Sequence, residues 1–431
     1  MVKSAFVKIW GMRVGAILWD EDKGYASFEY DQQFIPNRLE LAPILMPTDV
    51  GRHRVFRFPE FKDNSTFKGL PGLLADVLPD KYGNYLLNAW LLRQGRSLES
   101  VNPVELLCFI GERSMGALEF EPGQAPFFDQ HEELEIASLV DAAGELLRDR
   151  KAFVAQLSEE KEKALRNVLR IGTSAGGARA KAVIAYNPET LEIRSGQSQA
   201  PEGFEHWIIK FDGVEDKELG GSKGYGRIEM AYAEMAGKAG IQMEACRLLE
   251  ENGRAHFMTR RFDRVGNDKV HMQTFCALRH FDFNQIGQYS YEQLFETMRM
   301  LRLPYPEAEQ MFRRVLFNVL AKNCDDHTKN FAFLMTRQGK WSLAPAYDLC
   351  FSYRPGSQWV SKHSLSLNGK REGFIREDFL QLAKNINLKK APEIMAEVED
   401  AVKLWPDFAR KFKVDEVQIE AINNLLGFEV K

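Results

Sequence analysis

One unit between residues 305 and 349 constrains this chain more than any other: a helix, a loop of ionisable residues and a hairpin ending in aspartate. In EAEQMFRRVLFNVLAKN, the residues Met311, Phe312, Val315, Leu316, Val319 and Leu320 fall on one stripe, the spacing of a helix packed on its apolar face. The helix runs into CDDHTKN, residues 324–330, where five of seven side chains can ionise and the other two, Thr328 and Asn330, offer oxygen to a metal. FAFLM, the turn TRQGK and WSLAPAYDL then spell a β-hairpin. A hairpin returns to its starting point, so Asp348 can lie beside Asn330 across eighteen steps of sequence.

Phosphoryl transfer asks for such a set: a carboxylate to accept the proton of the attacking hydroxyl, and hard oxygen ligands to hold Mg²⁺ on the phosphates. Asp325 and Asn330 stand five residues apart, the spacing of the base and the metal-binding Asn in the protein-kinase pattern HRDxxxxN, and Asp348 then takes the part of the DFG aspartate. An acidic loop at a helix end is ordinarily only solvated; the helix–loop–hairpin–Asp order sets this one apart. A cover for a triphosphate is offered by GTSAGGARAKAVIA, with Gly172, Gly176 and Gly177 ahead of a strand carrying Lys181. Glycines let backbone amides approach phosphate closely, although most glycine-rich turns are merely hairpin turns, and no GK[ST] opens a helix as in a Walker A loop. Lys181 shares a strand face with Val183 and Ala185, an inward-looking place for a cation. His327 has neither a second His nor a paired Cys at zinc spacing, which argues against metal-hydrolase chemistry. With Lys329, it reads as loop-positioning or phosphate-facing. From the residues alone the expectation is a magnesium-dependent phosphotransferase.

The rest of the chain supports a two-lobe body. Its 431 residues suffice for two or three packed units. The first 60 residues alternate apolar and polar, as in a small antiparallel sheet, and Leu70–Arg96 has helical spacing around Pro79. EPGQAPFFDQHEELE, from Glu121, marks a boundary. Residues 165–264 are strand-rich with one helix, RIEMAYAEMAGKAGIQM, and HWIIKFDG reads as a short buried strand. From Tyr291 onward nearly everything apart from the hairpin is helical in period. With 57 Lys and Arg against 61 Asp and Glu, there is no basic excess to grip nucleic acid unaided. Five scattered cysteines suggest no disulfide or zinc framework but reduced thiols. Without an h-region or a long apolar stretch, the expectation is a soluble cytoplasmic protein, without a membrane.

The motifs together resemble the HipA family of serine/threonine kinases, toxins of HipBA-type toxin–antitoxin modules. LPGLLADVLPDKYGN is similar to the family's LP-D segment, SAGGARAK (Ser174–Lys181) to its Ser-containing Gly-rich loop and nucleotide-binding lysine, and RRFDR (Arg260–Arg264) to its adenine hinge. CDDHTKN, PAYDL and HSLSLNGK (from His363) resemble its DxHxKN, YD and SLNGK motifs. The resemblance implies an α+β, protein-kinase-like two-lobe fold with a β-rich N-lobe and a helical C-lobe, preceded by a small α/β N-terminal domain. The divisions expected are 1–125, 126–264 and 265–431. Asp325 would be the catalytic base, and Asn330 and Asp348 the Mg²⁺ ligands. Lys181, Gly176, Gly177, His327 and Lys329 would face the ATP phosphates. The backbone of Arg260 and Phe262 would meet adenine, with Asp263 near the ribose. Ser174 would be the autophosphorylated serine, where added negative charge disfavours a phosphate cradle. A helix-turn-helix antitoxin of HipB type would be the partner, with DNA reached only through that complex, and a protein such as an aminoacyl-tRNA synthetase the substrate. A kinase-like scaffold serving antitoxin binding and co-repression, or a small-molecule kinase, are the alternatives. Two departures stand out: HMQTFCALRHFDF stands where the family has a more acidic stretch, so Gln273 and Thr274 put the substrate-side contacts that the resemblance implies in question. Asp326 replaces a small residue and either adds a carboxylate to the site or points outward. Glu229 is a candidate partner for Lys181, with an exposed helical Glu as the plainer alternative.

Overall fold

The computed structural model describes residues 2–49, 54–123, 134–148, 179–196, 199–216, 220–221 and 223–427. Its first unit is an antiparallel sheet of β1 (Ser4–Ile9), β2 (Met12–Asp20), β3 (Tyr25–Tyr30), β4 (Val55–Arg57) and β5 (Leu118–Glu121), ordered β4-β3-β2-β1-β5. Alternation turns Ala5, Val7 and Ile9 of β1 inward, while Ser4 and Phe6 face out. Trp10 and Gly11 both take positive φ (50° and 80°), the two-residue turn whose twist suits the flanking strands. Between β4 and β5 lie α1 (Gly72–Ala75), α2 (Lys81–Arg93) and α3 (Pro103–Ile110). Pro79 falls in the break between α1 and α2, since its ring cannot continue a helix. Asn102 caps α3 by accepting from the Glu105 N–H at 2.9 Å.

After α4 (Ile136–Arg148), a second antiparallel sheet forms the N-lobe. It is built from β6 (Lys181–Tyr186), β7 (Ile193–Ser195), β8 (Glu205–Lys210), β11 (Cys246–Glu251) and β12 (Arg254–Arg260), ordered β11-β12-β8-β6-β7. A two-residue ribbon, β9 (Glu215–Asp216) with β10 (Gly220–Gly221), precedes α5 (Tyr225–Lys238). Ala182, Ile184, Ile209 and Met258 of the sheet share one core with Tyr82, Leu86 and Ala89 of α2 and with Leu139, Val140 and Ala143 of α4. A helix of the first unit therefore roofs the second sheet. The Gly-rich segment carrying Ser174, Gly176 and Gly177, and the strand expected before it, lie outside the described residues.

The C-lobe follows the ribbon β13 (Arg264–Val265) and β14 (Asp268–Lys269). It contains β15 (His271–Thr274), α6 (Phe275–Arg279), α7 (Tyr291–Met300), α8 (Tyr305–Leu320), β16 (Ala332–Met335), β17 (Trp341–Leu343), α9 (Arg376–Asn385), α10 (Ala391–Lys403), α11 (Trp405–Lys411) and α12 (Glu416–Asn423). The stripe expected on α8 is buried from Met311 to Leu320. The chain from Asp348 to Ile375, expected to be largely helical, forms no helix. Its backbone bonds to other elements instead: Ser364 O accepts from the Gly287 N–H and Ser366 O from the Tyr291 N–H, each at 2.9 Å. Apolar periodicity is outcompeted there by long-range backbone partners. One apolar core runs from the first sheet through the C-lobe helices. The fold is the protein-kinase-like pair of lobes preceded by a smaller α/β unit. Among the described residues no helix is long and apolar enough to cross a membrane, and all five cysteines are free.

Candidate active site

Helix α8 ends at Leu320, and the loop beyond it is pinned at both ends. The Cys324 N–H donates to Ser352 O at 3.0 Å, Thr328 Oγ1 to Phe281 O at 2.7 Å, and the Asn330 N–H to His327 O at 2.9 Å. Asn330 Nδ2 donates to the backbone carbonyl of Asp325 at 2.6 Å. That commits the amide's nitrogen and makes its carbonyl oxygen the atom suited to a cation. The Asp325 side chain is 49% exposed, with His327 Nε2 at 3.8 Å from its Oδ1. A half-open carboxylate beside an imidazole is placed to meet an incoming hydroxyl.

The hairpin β16–β17 returns to this loop and delivers Asp348 at positive φ, 53°. A non-glycine residue there is uncommon, and such conformations cluster at functional sites. Lys210, at the end of β8, donates to both Asp348 and Glu229. Burial would raise the Asp348 pKa, but Lys210 and Lys181 outweigh it and hold this carboxyl well below the usual range. Burial likewise opposes the Lys210 charge, and the two carboxylates outweigh it and push its pKa up. Glu229 arrives because α5 sits hard on β12: a Cβ on Gly226 would lie 1.9 Å from Ala255 O. The partner of Glu229 is thus Lys210, not Lys181, and the Glu is buried rather than exposed. Lys181 lies directly across the β6–β8 ladder from Lys210. It is buried, and desolvation lowers its pKa despite attraction from Asp348. Lys210 escaped sequence reading because HWIIKFDG looked like a plain buried strand; a lone cation closing an apolar run was the available signal.

The hinge residues separate. The Phe262 ring lies 5.6 Å from that of Tyr347, one residue before Asp348, so Phe262 belongs to the cleft. Arg260 turns its guanidinium outward to Glu244 at 3.0 Å, and its N–H donates to Ala245 O. Asp263, expected near a ribose, is 0% exposed: Arg261 and Arg264 pair with its carboxylate at 2.7 and 2.8 Å, and the Gly116 N–H donates to it at 2.7 Å. Its side chain ties the hinge to the first unit and has no open face for a sugar.

Asp326 neither joins Asp325 nor points to solvent. It is buried, accepting from Tyr291 Oη, from His363 Nδ1 at 2.8 Å and from the Ser364 N–H at 2.6 Å. Burial opposes a charge on His363, but Asp326 outweighs it and holds the imidazole pKa up at about 9. The first unit also reaches the site. Asp76 accepts from the Thr274 N–H and Oγ1, both at 2.7 Å, and Asp80 pairs with Lys329 at 2.5 Å. Thr274 therefore serves this contact and the cap of α6, and Gln273 is wholly buried. Lys329 positions the loop; its ammonium is turned to Asp80, and its carbonyl accepts from Tyr347 Oη at 2.6 Å. Asp80 is the aspartate of the LP-D segment and Asp76 lies four residues before it, but no local pattern signals their reach to a loop so far along the chain.

A family model described as the HipA-like C-terminal domain matches residues 173–405, and one described as the HipA N-terminal domain matches residues 5–121. Two curated relatives, both with "kinase" in their names, come from Haemophilus influenzae and Sinorhizobium fredii. The first is 26% identical over 181 residues, covering 35% of this chain and 52% of its own length. The second is 26% identical over 125 residues, covering 27% and 30%. The chain thus spans about half the length of the first and less of the second. A solved complex of Shewanella oneidensis HipA with HipB and operator DNA contains a chain that superposes with a TM-score of 0.68 at 16% identity, covering 97% of this chain and 95% of that one. At that identity the likeness is one of fold. Since the C-terminal model alone accounts for more than half of the residues, and the N-terminal one for most of the first unit, this chain belongs to the HipA family.

Proposed function

We propose that the chain is an ATP- and Mg²⁺-dependent protein serine/threonine kinase that acts as a toxin. The observation that carries this reading is that the loop bearing Asp325, His327 and Asn330 holds Tyr347, the neighbour of Asp348, through the Lys329 carbonyl, that His327 acts electrostatically on Asp348, and that Lys210 bridges Asp348 to Glu229. The donor set fits magnesium, which takes one or two protein oxygens and completes its shell with water and phosphate. Among the described residues no group of three His, Cys, Asp or Glu makes a cage of its own. Asn330 and Asp348 would hold the ion, which when bound neutralises charge on the transferring phosphoryl group. Asp325 accepts the proton of the acceptor hydroxyl, and His327 stands beside it. Lys210 keeps Asp348 ionised, with Lys181 adding positive charge, and Phe262 with Tyr347 borders the base-binding side.

By analogy with the HipA–HipB–DNA complex, a HipB-type antitoxin is the proposed partner, with DNA reached through it and the cytoplasm as the place of action. A translation-related protein is the proposed substrate, and Ser174 the site of self-modification. The test is incorporation of phosphate from ATP and Mg²⁺ into Ser174 or an added protein by the purified full chain. Asp325→Ala should abolish it; labelling at the parent level in that variant would overturn the reading.

A further inference from the structure

Asp80 stands at the N-cap of α2, where an aspartate ordinarily accepts from its own helix's amides, yet its side chain makes no such bond. It reaches instead to Lys329 Nζ, with the two side chains only 18% and 13% exposed. Lys329 is itself a node. It lies between Asp325 and Asn330 in the loop, its ammonium rests 4.8 Å from the centroid of Phe283, and its carbonyl holds Tyr347, the neighbour of Asp348. The segment around Asp80 is anchored on both lobes. Asp76 binds Thr274, the Gly72 N–H donates to His280 Nε2 at 2.9 Å, and α2 roofs the N-lobe sheet through Tyr82, Leu86 and Ala89.

We propose that Asp80 is a positioning residue for phosphoryl transfer, and that residues 72–93 of the first unit act in cis as a strut fixing the catalytic loop against the N-lobe. The unit preceding the kinase lobes is then part of the active machinery rather than an appendage. The activity readout rests on the proposed kinase reading; the structural readout does not. Because Asp80 acts through Lys329 on loop geometry and not on nucleotide, its loss reduces turnover while leaving ATP affinity nearly unchanged.

The experiment compares full-length parent, Asp80→Asn, Asp80→Glu, Lys329→Met and the Asp80→Asn/Lys329→Met double variant. Phosphate incorporation should fall about tenfold in kcat for Asp80→Asn, with KM for ATP within twofold, partial recovery in Asp80→Glu, and no further loss when Lys329→Met is combined. Parent-level kcat in Asp80→Asn, or multiplicative losses in the double variant, would overturn the proposal. Hydrogen exchange supplies the arm independent of activity: in Asp80→Asn, amides of residues 323–330 should exchange at least fivefold faster, while those of β6 and β8 keep their protection. Unchanged exchange at 323–330 sinks the strut, whereas an inactive parent that still shows the exchange difference sinks only the kinase reading.

Discussion

The ammonium of Lys210 is hydrogen-bonded to the carboxylate of Asp348, although the two residues lie in different lobes. Glu229 takes the same ammonium from helix α5. One cation therefore reports on the placement of the sheet, the helix and the hairpin at once, and its cross-strand neighbour Lys181 does not. Removal of Lys210 leaves Asp348 and Glu229 facing each other without the cation that hydrogen-bonds both. Lys210→Met should cut phosphate incorporation more than 100-fold. It should also destabilise the fold by about 2 kcal/mol, between the ~1 kcal/mol of exposed pairs and the ~3–5 kcal/mol of fully buried ones. Lys181→Met should cost little stability, since desolvation already opposes that charge. Denaturant melts of both variants beside the activity assay decide this; equal destabilisation would reverse the assignment of the bridge.

Asp348 carries two separable properties, its charge and its left-handed backbone. Asn tolerates that conformation better than other non-glycine residues, so Asp348→Asn removes the charge while sparing the turn. Thermal-shift titrations should show the ATP-induced stabilisation of the parent growing with Mg²⁺, and that of Asp348→Asn failing to do so. Equal Mg²⁺ dependence in the two would remove Asp348 from the ligand set.

Asp263 should behave as a structural residue. Its carboxylate separates two guanidiniums, Arg261 and Arg264, with side chains 1% and 7% exposed. Asp263→Asn strips their counter-charge and should cost about 3–5 kcal/mol, the range for breaking a buried pair. Urea unfolding measures this directly. KM for ATP in the protein that remains folded should stay within twofold of the parent, in contrast with a residue that touches ribose.

Why some of this was readable from sequence and some not follows from the range of the interactions. The α8 stripe, the loop from Asp325 to Asn330 and the hairpin to Asp348 are local, with periods of 3.6 and 2 and a turn between, so order along the chain implied proximity in space. The pairing of Glu229 depended on which of two adjacent strands ends nearest α5, a tertiary fact settled by the close approach at Gly226. Asp263 sits in a motif that resembles a nucleotide hinge, and the motif says nothing about side-chain direction. Asp326 was undecided because its three partners lie 35 to 38 residues away in sequence. The reach of Asp80 to Lys329 spans 249 residues and leaves no periodic trace.

The Asp326–His363 pair makes the stability of the loop depend on pH. His363 titrates at about 9 in the folded chain against an ordinary value of 6.5. A folded pKa above the unfolded one means the native state binds the proton more tightly, so the contribution is complete below about 6.5 and is lost as pH rises through about 9. Facing the ring are Asp326 on Nδ1, the Cys324 segment and the Phe374 ring at 5.4 Å. A shift of this size corresponds to an upper bound of about 3 kcal/mol. The melting temperature should therefore fall between pH 7 and 9.5, and the fall should flatten in His363→Asn, which keeps a donor for Asp326 but cannot titrate. A His363→Asn profile parallel to the parent's across that window would show that the ion pair carries none of the dependence.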